Sequence, residues 1–398
     1  MEKKTYHKDF QTLSKNKDKS ISIKVFLIIS ILILAASFLA ALCFGAEKIS
    51  LSQAFAWARN PSTSDKFTQI IIWQLRLPRA LLVLLTGILL GGSGAVFQLF
   101  FRNPLAEPGI MGISSGATLG AVTASTIIAA GSTIVATTIP AVSTVVTAAS
   151  SPAVSSSLSQ SAVTISQSTT SSLLSKGIFA FISPVNFCAF LGAILAGALV
   201  TTLAFTRSGK NSSIMLLLCG TALGTLYSSI SSIIILSSSK ELHSIYTWIL
   251  GSFNGRGWKE LLFISPAALI SIIIMFVISQ PLDLLTCGEK TASSLGVQVD
   301  KLRILVLICG ALAVSASVCA GGTIGFVGLI APHIVRKITG PKSRTLIPFS
   351  MLFGAILLLL SDTLARTVIA PSELPAGIIT SILGVPFFIS LIMSPKSN

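Results

Sequence analysis

The sequence predicts an all-α polytopic membrane protein with about ten transmembrane helices and with both termini in the cytoplasm. Of its 398 residues, 52% are hydrophobic and only 10% are charged, whereas a soluble domain carries about 25% charged residues. Apolar runs long enough to cross a bilayer recur along the chain, and the basic residues lie mainly between them. This composition excludes a cytosolic enzyme, a secreted disulfide scaffold and a disordered chain.

Ten apolar runs are each a candidate span. They cover residues 25–44, 80–100, 109–130, 179–206, 214–237, 261–280, 304–320, 323–338, 346–366 and 377–394. The first run follows a lysine-rich tail over residues 1–24 and exceeds the roughly 7–15 apolar residues of a signal peptide. We therefore expect a cytoplasmic basic tail followed by a retained first span. Glycines four residues apart, such as Gly87 and Gly91, predict close packing between spans.

The basic residues also give the orientation. With the N-terminus in the cytoplasm, 18 of the 28 Lys and Arg residues fall on the cytoplasmic side, as the positive-inside rule requires. Residues 131–175 form a Ser/Thr-rich, low-complexity insertion that we predict to be an extracytoplasmic loop. A hairpin of two extra spans is the alternative, because it leaves the orientation of later spans unchanged. A single transmembrane domain is predicted over residues 25–395.

Several kinds of chemistry have no basis in the sequence. The chain has no G-x-x-x-x-G-K-[ST] motif, so it is not expected to hydrolyse ATP by itself. Its six cysteines have no paired spacing and predict neither disulfides nor a metal site. The net charge of +15 follows from positive-inside sorting, so no nucleic-acid partner is expected. Gly112–Gly116 matches G-x-S-x-G, but a serine hydrolase is a minor alternative because that motif needs a strand–turn–helix setting.

One pair of opposite charges lies inside an apolar run. Asp362 and Arg366 are four residues apart, so they share a helix face and can pair. Charges at such a depth are costly unless they are paired or functional. We favour a structural pair near the outer membrane surface. The alternative is a proton relay that uses Asp362, which would belong to an ion-coupled transporter.

Two polar connections stand out between spans. In Arg102–Pro108, the prolines end helices, and Asn103 and Glu107 can satisfy freed backbone groups. In the longer segment Gly288–Arg303, we predict a short amphipathic helix that Gly296 ends and a second short helix over residues 297–303. The first of these helices is expected to present apolar surface to a cytoplasmic partner. The residues that would form this surface are Ala292 and Leu295.

Ten motifs in a fixed order carry a family resemblance. They are Trp73–Arg79, Gly94–Gln98, Arg102–Pro108, Met111–Ala117, Trp248–Ser252, Leu284–Gly296, Gly325–Arg336, Asp362–Arg366, Glu373–Gly377 and Gly384–Phe388. Together they resemble the FecCD-type permease subunits of binding-protein-dependent ABC importers for iron–siderophore, haem and cobalamin. The resemblance covers residues 21–130 and 177–395, and the insertion over 131–175 is longer than the usual loop of the family.

The resemblance implies three groups of site residues. An ATPase-coupling loop over residues 281–303 would include Gly288, Glu289, Ala292, Leu295 and Gly296. Basic positions on a water-exposed outer rim, where carboxylates of a binding protein would dock, are matched by Arg76, Arg79 and Arg366. Structural motif positions are matched by Asn103, Pro104, Pro108, Pro332, His333, Asp362, Glu373 and Pro375. His333 is expected to pack or to form hydrogen bonds rather than to bind a metal.

The resemblance also implies a function. The chain would be a permease in the cytoplasmic membrane of a bacterium, with no cofactor and no enzymatic site of its own. Its partners would be two ATP-binding subunits, an extracytoplasmic substrate-binding protein, and a second copy or a paralogue. The path would be lined by residues 215–252, and the expected cargo is an iron(III)–siderophore-type chelate. Cobalamin or haem is the alternative cargo, and an ion-coupled secondary transporter is a more remote alternative.

Overall fold

The structure is a computed structural model that describes residues 2–45, 47, 49–50, 52–53, 57, 59, 66–128, 183–206, 212–237 and 242–393. Its helices, numbered in chain order, are α1 (Glu2–Cys43), α2 (Lys66–Phe100), α3 (Ile113–Ile128), α4 (Pro184–Thr206), α5 (Ser212–Ser237), α6 (Leu242–Ile249), α7 (Trp258–Val277), α8 (Ser279–Thr286), α9 (Glu289–Ser294), α10 (Val299–Gly321), α11 (Val327–Thr339), α12 (Ser343–Thr367) and α13 (Ala376–Met393). The described residues contain no strand. The insertion over 131–175 lies outside them.

The helices confirm the all-α membrane fold. Within the described ranges, α1, α2, α4, α5, α7, α10 and α12 are long and apolar enough to cross a membrane, and α3 and α13 are shorter apolar helices. Each of the ten predicted runs falls on a helix. The eighth run has the shortest of these helices, because α11 has 13 residues, about 20 Å as a helix. That is less than the roughly 30 Å hydrocarbon core of a bilayer.

The chain divides into two compact units. Unit 1 comprises residues 1–109 and 250–398, and unit 2 comprises residues 110–249. The transmembrane domain that the sequence predicts over residues 25–395 includes parts of both.

Helix α2 forms the centre of unit 1 and packs against α10, α11 and α12. An added Cβ on Gly87 or Gly91 would strike the backbone of α12, at Gly354 and Ser350. These contacts confirm the close approach that the glycine spacing predicted. Near its start, α2 contains a π-helical turn directly before Pro78, whose ring and missing N–H disturb a regular helix.

In unit 2, α3 packs against α4 through small residues. An added Cβ on Gly116 would meet Gly192 and Ala196, and one on Gly120 would meet the backbone of Cys188. The G-x-S-x-G segment lies at the start of the helix α3 and has no neighbouring strand among the described residues. The nucleophile-elbow interpretation therefore lacks its structural setting.

Candidate functional site

Four charged residues of unit 1 form a buried ion-pair cluster. Arg79 Nη2 lies 2.9 Å from Asp362 Oδ1, and Arg79 Nη1 lies 2.7 Å from Glu373 Oε2. Arg366 Nε lies 3.2 Å from Asp362 Oδ2, which agrees with the pair predicted from their spacing. The chain thus brings together residues of α2, of α12 and of the segment before α13. We call these four residues and Arg76 the arginine cluster.

Two arginines of the cluster bind the end of α1. Arg76 Nη1 donates to the carbonyl oxygens of Leu42 and Cys43 at 2.7 and 2.9 Å, and its Nη2 donates to the carbonyl of Glu47. Arg366 Nη2 donates to the carbonyl of Ala41 at 3.2 Å. The last carbonyls of a helix have no partner within the helix and carry partial negative charge. The guanidiniums therefore cap α1 at its C-terminus.

The predicted water-exposed rim of arginines is wrong. Arg76, Arg79 and Arg366 are only 6%, 8% and 4% exposed. Helix α1 and the two carboxylates surround them, because buried charge is tolerated only when it is paired or hydrogen-bonded. The partners of Arg79 could not be predicted from the sequence, since Asp362 and Glu373 lie 283 and 294 residues away.

The segment over 281–303 contains the short helix that the sequence predicted. Helix α9 covers Glu289–Ser294, and Gly296 follows it with a left-handed φ of 88°. Gly288, with a φ of 119°, precedes it. Leu295 is 61% exposed, as expected for a partner-facing residue, but Ala292 is fully buried. The predicted exposure of Ala292 is therefore wrong, because this methyl group packs inward.

The predicted second short helix is also wrong. Val299 begins the long helix α10, so residues 299–303 form its first turn. Arg303 of this turn lies 3.5 Å from Glu289 Oε1 and 3.2 Å from Asp300 Oδ1. The side chain of Glu289 is still 56% exposed. Helix α9 therefore presents an acid and a leucine to solvent while an ion pair ties it to α10.

Two side chains of the connection over 102–108 accept hydrogen bonds from backbone amides, one close by in the chain and one far away. Asn103 Oδ1 accepts a hydrogen bond from the Leu105 amide at 2.9 Å, and Glu107 Oε1 accepts one from the Phe326 amide at 3.1 Å. Phe326 immediately precedes α11 and has a left-handed φ of 69°. Burial raises the pKa of the Glu107 carboxyl to about 7, against the opposing effect of this hydrogen bond. Both residues satisfy backbone groups, as predicted.

The remaining motif positions are structural. Pro104 is exposed in the connection, Pro108 begins a short 3₁₀ turn, and Pro375 directly precedes α13. Pro332 and His333 lie within α11, where the His333 ring meets Phe387 edge-on at 5.7 Å. Neither ring nitrogen of His333 has a hydrogen-bond partner among the described residues. The described residues also contain no group of three or more His, Cys, Asp or Glu side chains that could hold a metal ion.

Sequence reasoning missed a second buried polar contact. Gln98 is 1% exposed, and its Nε2 donates to the Leu329 carbonyl at 3.3 Å. Its Oε1 accepts a hydrogen bond from Arg336 Nη2 at 3.2 Å. A glutamine within an apolar run was the available signal, because a polar side chain at such a position needs partners. The contact joins α2 to α11.

These features define a polytopic membrane protein with charged contacts on helix ends and a short exposed helix between two spans. The chain belongs to the FecCD transport family, whose model matches residues 32–166 and 155–394. It is therefore a permease of the ABC-importer class and a multi-pass protein of the cytoplasmic membrane.

The most similar relatives carry names for different cargoes. A cobalamin import system permease protein, BtuC, of Halobacterium salinarum is 34% identical over 81% of this chain and 73% of its own length. The iron(III)-citrate import system permease protein YfmD of Bacillus subtilis and the hemin transport system permease protein HmuU of Yersinia pestis are each 34% identical over 94% of this chain and 96% of their own length.

A solved structure also matches most of the chain. It is an inward-facing conformation of a metal-chelate type ABC transporter, with a TM-score of 0.70 and 28% sequence identity. The match covers 93% of this chain and 99% of the solved chain. It supports the same fold as the family match.

Proposed function

We propose that this chain carries an iron(III)–siderophore-type chelate across the cytoplasmic membrane as the permease subunit of an ABC importer. Two separate ATP-binding subunits drive the transport, an extracytoplasmic binding protein delivers the cargo, and a second copy or a paralogue completes the path. The chain itself has no ATPase site. The observation that carries this proposal is α9 together with the following Leu295. Glu289 and Leu295 are exposed, while the ion pair of Glu289 with Arg303 and the buried Ala292 attach the helix.

The contacts of α9 suit a coupling role. A helix that receives force from a partner must be fixed to the spans that it moves. Ala292 and the Glu289–Arg303 ion pair supply that attachment. Leu295, which is 61% exposed, supplies apolar area to bury against the ATPase.

The arginine cluster suits the outer docking role in a modified form. Three guanidiniums and two carboxylates leave one positive charge in excess. Arg76 makes no ion pair within the described residues, although the charge of Glu47 acts on it. The net positive charge of the five-residue cluster, although buried, steers a partner that carries carboxylates through its field and fixes its register more than it adds affinity.

The path proposed for the cargo includes α5, which exposes a row of hydroxyls. Thr221, Thr225 and Ser229 each donate to a carbonyl of their own helix, three or four residues back. Their donors are therefore satisfied, so this surface offers little to hold a ligand. In an alternating-access cycle, ATP binding by the partner moves α9, the spans rock, and the cargo is released inward without any covalent step.

The ferric chelate is proposed first as cargo because two relatives from Bacillus subtilis are named as iron(III)-citrate import system permease proteins and the similar solved transporter is of the metal-chelate type. Cobalamin and haem are the second candidates, because relatives named for them match this chain equally well.

The coupling role is tested by replacing the two exposed residues that we propose to contact the ATPase, Glu289 and Leu295. Glu289→Ala with Leu295→Ala is expected to abolish co-purification of the ATPase from detergent extracts, while the permease stays inserted at its normal level. The matched control is Arg344→Ala with Thr345→Ala, since these residues lie in the first turn of α12 and not in α9. Normal ATPase recovery with the α9 variant would refute the coupling role.

A further inference from the structure

Helix α12 receives its N-terminal cap from α8. The Ser343 amide donates to Asp283 Oδ1 at 2.7 Å, and the Ser343 hydroxyl donates to the Ser279 carbonyl. Ser343 is fully buried. These two bonds join segments that are 60 and 64 residues apart in the chain.

The local sequence of α12 makes this cap necessary. Lys342 stands at the N-cap position and provides no side-chain hydrogen bond, and the first turn contains no acidic residue. The amides at a helix start need acceptors, and a negative charge there is favourable. Lys342 and Arg344 add positive charge instead. The Asp283 carboxylate is the acceptor that α12 itself lacks.

The other end of α12 holds the arginine cluster. Asp362 and Arg366 lie in its last turns, and both are at least 96% buried. From Ser343 to Arg366 the helix is about 35 Å long at 1.5 Å per residue. Between its ends, Gly354 and Ser350 contact the backbone of α2, so the middle of α12 is held against α2.

We propose that Asp283 is a positioning residue that attaches α12 to α8 and α9, so that α12 carries displacement between the ATPase-facing helix and the arginine cluster. This inference rests on the proposed function of both ends. In this proposal, the contact that forms and breaks is the hydrogen bond from the Ser343 amide to Asp283. While Asp283 holds the Ser343 amide, α12 keeps the position in which Arg366 contacts the end of α1, and release of the cap favours a shifted position.

The native thiol of Cys43 can report a movement at the end of α12 that holds the arginine cluster. Cys43 ends α1, is 3% exposed, and its carbonyl accepts a hydrogen bond from Arg76. In this proposal, a shift of α12 that withdraws Arg366 from the Ala41 carbonyl loosens the end of α1 and is expected to expose this thiol. Cys309 and Cys319 are buried in α10 and serve as references for general loosening, and the exposed Cys287 serves as a reference for labelling efficiency.

The test is maleimide labelling of the purified full-length permease in detergent, with each cysteine quantified by peptide mass spectrometry. Asp283→Ala is expected to raise the initial labelling rate of Cys43 on the order of fivefold, as for the loss of one helix cap, and to leave Cys309 and Cys319 unchanged. Asp283→Asn, which keeps a carbonyl acceptor, should restore most of the protection. Thr345→Ala is the matched control in the same helix turn and should have no effect.

Two results would overturn the inference: an unchanged Cys43 rate in Asp283→Ala, or an equal rise at Cys43, Cys309 and Cys319, which indicates a merely structural cap. Should Asp283→Ala fail to fold, Ser343→Ala removes the hydroxyl bond alone and must give a smaller rise confined to Cys43. The labelling needs no partner, so its failure is separate from failure of the proposed function. ATPase co-purification by the wild-type permease, compared with the Glu289→Ala, Leu295→Ala variant, tests the latter.

Discussion

Arg76 and Arg79 are three residues apart in one helix, yet their guanidinium groups have different kinds of partner. Arg79 is neutralised by two carboxylates, whereas Arg76 donates to backbone carbonyls of α1 and of Glu47. A carbonyl accepts a hydrogen bond without cancelling the formal charge. The pair therefore combines a fixed structural contact with a positive charge that is available to a partner through the field of the cluster.

Opposite substitutions in the cluster should move docking of the binding protein in opposite directions. Arg76→Gln removes the surplus charge and is expected to weaken docking several-fold at low salt. Glu373→Gln removes a carboxylate that is 24% exposed, so it raises the positive charge and should tighten docking. Arg76→Lys keeps the charge and serves as the control. Binding is measured by surface plasmon resonance on detergent-solubilised permease across a salt series.

A purely structural cluster predicts another outcome. Both charge-changing variants would then weaken docking in proportion to their loss of folded protein, with no dependence on salt.

Glu107 should make stability depend on pH. Its pKa is raised from an ordinary 4.5 to about 7, so folding takes up a proton between these values, and stability falls as the pH rises through this window. From pH 5 to pH 7.5, the wild-type protein should lose on the order of 2 kcal/mol relative to Glu107→Gln, which cannot ionise. Thermal unfolding in detergent at the two pH values measures this difference, and parallel pH profiles would disprove it.

At the scale of elements, α2 and α12 approach each other closely because α2 has glycines, which lack side chains, where it meets the α12 backbone. Gly91→Ala places a Cβ against the Ser350 carbonyl, which belongs to backbone and cannot rotate away. The substitution is expected to destabilise the protein by about 2 kcal/mol. Gly325→Ala is the matched control, because an added Cβ there meets nothing within 4 Å. Equal unfolding temperatures for the two variants would show that this packing is not tight.

The helices were predictable where a single segment determines them. An apolar run of 20 residues must cover its own backbone polar groups in lipid, so it forms a helix whatever its neighbours are. The start of α11 at Val327 was not predictable, because the left-handed Phe326 depends on the distant Glu107. The start of α10 was missed for a related reason. Residues 297–303 are polar enough to suggest a separate short helix, but residues 299–303 continue directly into the span.

The candidate sites show the same division. The Asp362–Arg366 pair and the α9 helix follow from local spacing, and the structure contains both. The partners of Arg79 and the cap on Ser343 join segments far apart in the chain. A single sequence records no such proximity. The exposure of the arginines was therefore misjudged, although the residues themselves were identified.

At the scale of the whole molecule, α12 connects the two proposed contact regions of unit 1. Its first residue is bound to the helix that leads into α9, and its last turns hold the arginine cluster. The family membership shows a permease of the ABC-importer class, and the coupling and docking roles that we propose for the two ends of α12 need such a connection.

The central claim is ATP-driven import of a ferric chelate, and uptake by cells tests it most directly. Radiolabelled ferric siderophore, haem and cobalamin are compared in cells with the gene, without it, and complemented by the Glu289→Ala, Leu295→Ala variant, each with and without ATP depletion. The account predicts that deletion abolishes ATP-dependent uptake of ferric siderophore and that the variant fails to restore it. Loss of cobalamin or haem uptake alone would correct the cargo. Uptake that survives ATP depletion but stops when the ion gradient is collapsed would contradict the account.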